Sequence, residues 1–450
     1  MISIRKRGST SDGSMRAIGS LTLLALCVAW PGCAGPADDV ASDRPAVETP
    51  PGGAAAPASP ADAWPRWGGP DGDFKVAASG LADSWPDTGP PVVWNRELGA
   101  GYATIAADDG VLYTGYRDGD EDVFAALDAD DGATIWEYRY EAPTREANMV
   151  QFGKGPNATP LIVGDRLVVL GYTGVLSAVD RAGGERIWSH ELHDDFGADV
   201  LEFGFAASPI VHDGHVIVLV GGSQHGVVAF DPADGSVAWS GPAGSVSYAT
   251  PIVIDVDGTS QLVYFSADEI VGLDPADGTR LWGHPAVNQY RNNASDPSWG
   301  PGNLLWVATQ LDGGTRALRL AHDAEGTRVE QVWESGKMSI HHWNTLRLGD
   351  HVYASIGSNA SILAGIDVRN GEILWRERGF EQVKFVHAGE QTVLLDGEGN
   401  LALADLSPEG LNVRSQVRIM ESQTWTAPTL VGTRLYLRDN ERIMALELGG

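Results

Sequence analysis

Ala126-Leu127-Asp128-Ala129-Asp130-Asp131-Gly132-Ala133-Thr134-Ile135-Trp136 is one copy of a frame that this 450-residue chain repeats. The same eleven positions recur from Ala178 through Asp180 and Gly184 to Trp188, and from Ala229 through Asp231 and Gly235 to Trp239. Gly272, Asp274, Gly278 and Trp282 give a fourth copy, and Gly365, Asp367, Gly371 and Trp375 a fifth. Self-similarity at this period marks a repeat architecture. Strand residues such as Val227 and Val228 lead into the small residue. The Asp carboxylate can accept hydrogen bonds from backbone N–H groups further on, which starts a turn. The Gly supplies the positive φ that closes a tight hairpin. The next strand brings a Trp whose ring needs a neighbouring sheet to cover it, and the small residue leaves room for a ring to lie flat. The repeated Trp therefore reads as a wedge between sheets, and the repeated Asp as a turn residue.

Outer-strand tryptophans fall at Trp94, Trp136, Trp188, Trp239, Trp282, Trp333 and Trp375, spaced by 42 to 52 residues, which suits four strands per unit. A degenerate eighth unit runs through 401–413 and has no Trp. Between these positions lie inner-strand starts: Ala158-Thr159-Pro160, Ala207-Ser208-Pro209, Ala249-Thr250-Pro251 and Thr426-Ala427-Pro428. Arg442 to Leu448 repeats the strand before the turn, and Val92-Val93-Trp94 supplies the Trp strand missing from the C-terminus. Both chain ends then share one blade and remove a free sheet edge. The expected fold is all-β, an eight-bladed β-propeller of four-stranded blades over residues 90–450.

Composition agrees. Glycine is 56 of 450 residues, alongside 25 prolines and 15 tryptophans, as many short strands and tight turns require. A net charge of −29 repels phosphate backbones and excludes nucleic acid as a partner. The two cysteines, Cys27 and Cys33, lie in the N-terminal leader, so the folded part has neither a disulfide nor a thiolate metal site. Residues 1–33 read as a signal peptide: Arg5, Lys6, Arg7 and Arg16 precede an apolar stretch from Ala17 to Trp30. Gly32-Cys33 looks like a bacterial lipobox, with Cys33 as the lipidated residue; ordinary cleavage after Gly35 is the alternative. Residues 34–62, rich in Pro and Ala, form a flexible tether, and 63–89 a lead-in to the propeller.

The small-x-Asp-x-x-x-Gly-x-x-x-Trp frame resembles the tryptophan-docking motif of the quinoprotein (PQQ-like repeat) propellers. On that resemblance Trp94, Trp136, Trp188, Trp239, Trp282 and Trp375 are docking residues. The family has an enzymatic branch, the alcohol dehydrogenases that bind pyrroloquinoline quinone and calcium, and a non-enzymatic branch that includes the outer-membrane assembly lipoprotein BamB. The leader, tether and propeller are similar in layout to the second. The opening Trp64-Pro65-Arg66-Trp67-Gly68-Gly69-Pro70 and His341-His342 also resemble uncharacterised secreted propellers. The enzymatic branch implies two adjacent cysteines, absent beyond residue 33, and an Asp base beside calcium held by Glu and Asn. Asp296, Asn292, Asn293 and Asn303 match no such pattern.

A tricarboxylate quinone calls for Arg or Lys. Lys154, Arg291, Lys337 and Lys384 all precede inner strands, at the end where such a site opens. Segments there converge on the central channel, so Lys154, Asn157, Phe203, Phe205, Tyr248, Trp299, His341, His342, Trp343, Lys384 and Trp425 are the ligand candidates. The competing role for all of them is packing in the channel and between blades. Adjacent residues in a strand point to opposite faces, so His341 and His342 are not expected to bind one metal together, and no metal site is expected. No phosphate loop, Ser-His-Asp arrangement or HExxH appears. The expected function is a non-enzymatic scaffold in the bacterial envelope, lipid-anchored to the outer membrane, engaging envelope proteins as a monomer or within a complex, with assembly of outer-membrane proteins as its specific form. The alternatives are a PQQ-dependent dehydrogenase or quinone-binding protein, and a carbohydrate-binding propeller.

Overall fold

The computed structural model describes residues 63–77, 80–310, 313–357 and 360–450. The expected leader, Cys33 and tether lie outside these. Eight sheets form the ring, each a blade of four strands, one of them extended by a fifth short strand, Lys75–Val76. Numbered in chain order, blades 1 to 7 span 106–141, 161–191, 210–240, 252–285, 298–335, 346–378 and 384–418. Blade 8 takes its three inner strands from 429–447 and its outermost strand, Val92–Glu97, from the other end of the chain. Trp94 pairs with Ala445 in that closing strand.

The repeat does what its chemistry dictates. In blade 1 the Asp128 carboxylate accepts the Asp130 amide at 2.8 Å, and the Gly132 amide returns to the Asp128 carbonyl at 2.9 Å. Gly132 has φ +74°, and the equivalent glycines of blades 2, 3, 4 and 6 fall between +73° and +80°. Each Trp then crosses a seam. The Trp94 indole donates to Ala129 O in blade 1, Trp136 to Arg181 O in blade 2, Trp188 to Pro232 O in blade 3 and Trp375 to Ser407 O in blade 7. The Trp94, Trp136, Trp188 and Trp239 rings lie against the turn glycines of the next blade. Trp282 departs from this pattern because blade 5 carries no frame for it; its indole donates to Gln261 of its own blade at 2.7 Å.

Every seam is apolar. Seven hydrophobic clusters occupy the eight inter-blade seams, one of them running continuously through blades 7, 8 and 1. A buried Trp removes about 200 Å² from water, worth ~5 kcal/mol at ~25 cal/mol/Å². The wedges therefore carry a large share of the adhesion between blades.

Candidate functional site

The channel is closed at its turn end by residues 64–77. Trp64 bridges to Ala107 of blade 1, with hydrogen bonds of 2.7 and 2.9 Å. Pro65 O accepts the Ile162 amide of blade 2, and Lys75–Val76 runs parallel to the inner strand of blade 7 at His387 and Ala388. Between these anchors the chain must reverse sharply. Gly68 has φ +76°, and a Cβ there would lie 2.5 Å from the Gly72 carbonyl carbon, so only glycine fits. Trp64 is wholly enclosed, Phe74 is buried, and Trp67 meets Phe74 edge-on at 5.1 Å.

The plug reaches the strand-start level through one hydrogen bond. The residues preceding the inner-strand prolines form a ladder around the channel. Ser208 Oγ accepts the Thr159 amide (2.9 Å), Thr250 Oγ1 the Ser208 amide (3.1 Å) and Asp296 Oδ1 the Thr250 amide (2.7 Å). Asp296 Oδ2 accepts the Trp67 indole N–H at 2.5 Å. Ser295-Asp296-Pro297 thus occupies the same frame as Thr159-Pro160 and Thr250-Pro251, a signal present in the sequence. Beside this bond lies a cavity of about 300 Å³, with Arg66, Trp67, His212, Thr250 and Asp296 in its wall.

Burial pushes the Asp296 carboxyl up from 3.8 to about 6, against the Trp67 and Thr250 hydrogen bonds that favour its charge. The folded state therefore binds this proton more tightly than the unfolded one. The carboxylate costs stability above pH 6 and ceases to do so as the pH falls towards 4, a span of about 3 kcal/mol. Denaturation midpoints of the wild type should accordingly gain on those of Asp296→Asn between pH 7.5 and 4.5. Parallel pH profiles for the two proteins would contradict this assignment.

At the loop end the structure gathers an aromatic cluster. Trp425 contacts Tyr102 (5.3 Å between centroids), Phe152 (6.2 Å), His342 (4.9 Å) and Trp343 (5.8 Å). Phe152 continues to Phe203, and Phe203 to Tyr248. Asn157 Nδ2 holds Phe203 O at 3.0 Å, and the Trp425 indole donates to Gln382 at 3.0 Å. Lys384 is 2% exposed; its ammonium donates to Thr424 O and lies 4.8 Å from the Trp343 ring centre. Burial lowers it to about 7.

Three expectations need correction. Lys154 does not join the cluster; it pairs with Asp120 at 3.1 Å. Trp299 packs on the hydrophobic seam between blades 4 and 5, and Phe205 is buried in the seam between blades 2 and 3. His341 and His342 are not in a strand, which begins at Leu346, so strand alternation does not separate them. Their Nδ1 atoms lie 2.6 Å apart, which requires one to donate and the other to accept. Burial holds both rings below the usual imidazole range, His342 well below, with His341 and Lys384 adding to its shift. Tyr102, Phe152 and Gln382 were missed, because they lie in connections between blades that carry no repeat to flag them, Phe152 at the end of a short 3-10 helix.

A family model described as outer membrane protein assembly factor BamB matches residues 85–195 and 119–377, about two thirds of the chain. The chain belongs to this family. Among solved structures, BamB from Moraxella catarrhalis superposes with a TM-score of 0.57 at 17% identity, covering 80% of this chain and 99% of that one. A quinohemoprotein alcohol dehydrogenase from Comamonas testosteroni gives a TM-score of 0.63 at 14% identity, covering 87% and 81%. These identities establish the shared fold. A curated relative, a quinohemoprotein alcohol dehydrogenase of Pseudomonas putida, is 32% identical over 146 residues, which is 30% of this chain. The chain spans 19% of that relative's length.

The residues of this BamB-family propeller do not fit a quinone tricarboxylate and its calcium. Of the four cations expected at the mouth, Lys154 and Arg291 are neutralised by Asp120 and Asp268, Lys337 is exposed, and Lys384 is enclosed. Among the described residues no three His, Cys, Asp or Glu side chains group as a cation site. Asp296, on the ladder of strand-start residues, already accepts two donors.

Proposed function

We propose that this propeller is a non-enzymatic scaffold of the bacterial envelope that docks partner proteins on its loop face. The carrying observation is the chemistry of that face: contiguous aromatic and apolar side chains around Trp425 and Phe152, with Lys384 enclosed beneath them. Such a surface suits protein contact better than it suits a polyanionic cofactor. Membership of the BamB family supports a place in outer-membrane protein assembly, and the Gly32-Cys33 leader supports lipid anchoring. The 146-residue likeness to a quinohemoprotein dehydrogenase keeps the quinone reading as the alternative.

The test is a photo-crosslinking side chain at position 152 of the full chain in its host, with position 409 on the opposite face as the control. Crosslinks to envelope proteins, barrel proteins among them, are expected from position 152 and not from 409. Cys33→Ser should move the chain from the membrane to the soluble fraction. Equal crosslinking from both positions overturns the docking reading. A saturable, calcium-dependent quench of Trp fluorescence by pyrroloquinoline quinone would favour the alternative.

A further inference from the structure

The loop face is not uniform. Half of the twelve large apolar side chains exposed among the described residues sit on its loops, namely Met149, Val150, Phe152, Val200, Val287 and Tyr290. The other six lie on outer strands. Phe152 is 48% exposed although its ring touches Phe203 and Trp425, so it joins the apolar rim to the aromatic cluster. Met149 is held beside it through its amide to Glu202 O at 2.6 Å.

Across Trp425 the character changes. The loops 379–383, 396–399, 419–428 and 439–441 contain six acids and no Lys or Arg. Asp396 and Asp439 are buried and accept the backbone amides of their own turns. Glu381, Glu398, Glu421 and Glu441 are exposed, and none has an ion pair among the described residues. The loops that carry them are contiguous. Gly397 N donates to Glu381 O, Thr424 N to Gly397 O, and Ser422 N to the Asp439 carboxylate. Tyr102 then links this acidic crescent to the apolar rim: its hydroxyl donates to Phe152 O at 2.6 Å and accepts from Asn440 at 3.0 Å.

We propose, building on the docking reading above, that the loop face binds a cationic amphipathic polypeptide segment. Its aliphatic and aromatic side chains lie on Met149, Val150, Phe152 and Trp425, and its Lys or Arg residues meet the four glutamates. The charge complementarity selects this partner. An acidic segment would face like charges on the crescent, and an uncharged one would leave four carboxylates beside it unanswered. Other acids of the loop face are matched, as Asp268 is by Arg291 and Asp120 by Lys154.

The probe is a synthetic 14-residue peptide alternating Lys with Leu and Phe, titrated into the full chain and followed by Trp fluorescence. Its counterpart carries Glu in place of every Lys. Saturable binding of the Lys peptide is expected, with at least tenfold weaker binding of the Glu peptide. Reversing the crescent (Glu381→Lys, Glu398→Lys, Glu421→Lys, Glu441→Lys) should weaken the Lys peptide at least tenfold. The same reversal on the opposite face (Glu185→Lys, Glu325→Lys, Glu372→Lys, Glu409→Lys) changes net charge equally and should weaken it less than threefold. Phe152→Ser with Val150→Ser should also weaken it several-fold, with the melting temperature confirming folding of each variant. Equal weakening by both charge reversals means general attraction to an acidic protein and overturns the proposal, as does equal binding of the two peptides. If position 152 still crosslinks envelope proteins while the Lys peptide fails, the cationic chemistry is wrong and the docking reading stands.

Discussion

Trp64→Ala is expected to lower the stability of the full chain by about 3–5 kcal/mol, the usual cost of emptying an enclosed aromatic site. Trp64 has no exposed surface, and it belongs to the cluster that runs through blades 7, 8 and 1. Its backbone pairs with Ala107, so the ring is pinned over the inner strand of blade 1. Removing the ring leaves a void that the rigid strands around it cannot collapse to fill. The loss should appear in denaturant unfolding followed by both far-ultraviolet circular dichroism and Trp fluorescence, with the two signals coincident. A loss below about 1 kcal/mol would mean that the 64–77 segment decorates the ring rather than completing it.

Arg438→Leu should be comparably damaging, by about 3–5 kcal/mol, through unmet polar groups instead of a void. Arg438 is wholly buried in blade 8, and burial lowers its guanidinium to about 10. It donates to Gly99 O at 3.0 Å, Thr114 Oγ1 at 2.9 Å and Gly115 O at 2.6 Å, with a longer bond to Ala103 O. These acceptors belong to blade 1 and its approach, so the side chain bolts the last blade to the first. Leucine takes the guanidinium away from Gly99 O, Gly115 O and the Thr114 hydroxyl, while Ala103 O keeps the Thr114 hydroxyl as its donor. Arg438→Lys should recover less than half of the loss, because one ammonium cannot span the acceptors that a planar fork reaches. Hydrogen exchange should report the damage first in Val92–Glu97, the strand that closes the ring. Uniformly unchanged exchange in that strand would place the role of Arg438 elsewhere.

The blades and the aromatic cluster differ in how far they could be read from the sequence. The frame repeats, so each Asp, Gly and Trp was assigned by comparison with its copies, down to ring closure by Trp94. The aromatic cluster was legible only as a list of residues before inner strands. From that list Tyr248, Phe203, His342, Trp343, Lys384 and Trp425 come together, whereas Trp299 turns into a seam and Lys154 finds Asp120. Position before a strand fixes where a backbone arrives but not which way a side chain turns on an irregular loop.

The plug was the least legible element. Trp64 to Val76 has no internal copy, and its partners lie in blades 1, 2, 5 and 7. By itself the sequence determined the blade, the blade count and the closure, because those rest on local turn chemistry and on a repeat whose copies must pack alike. The tertiary structure alone decided that the chain's own N-terminal segment fills the turn end of the channel, that Asp296 answers to Trp67, and that the glutamate-bearing loops of 379–441 lie beside an aromatic rim completed by Tyr102 and Phe152. Those juxtapositions join residues hundreds of positions apart through contacts that no repeat encodes.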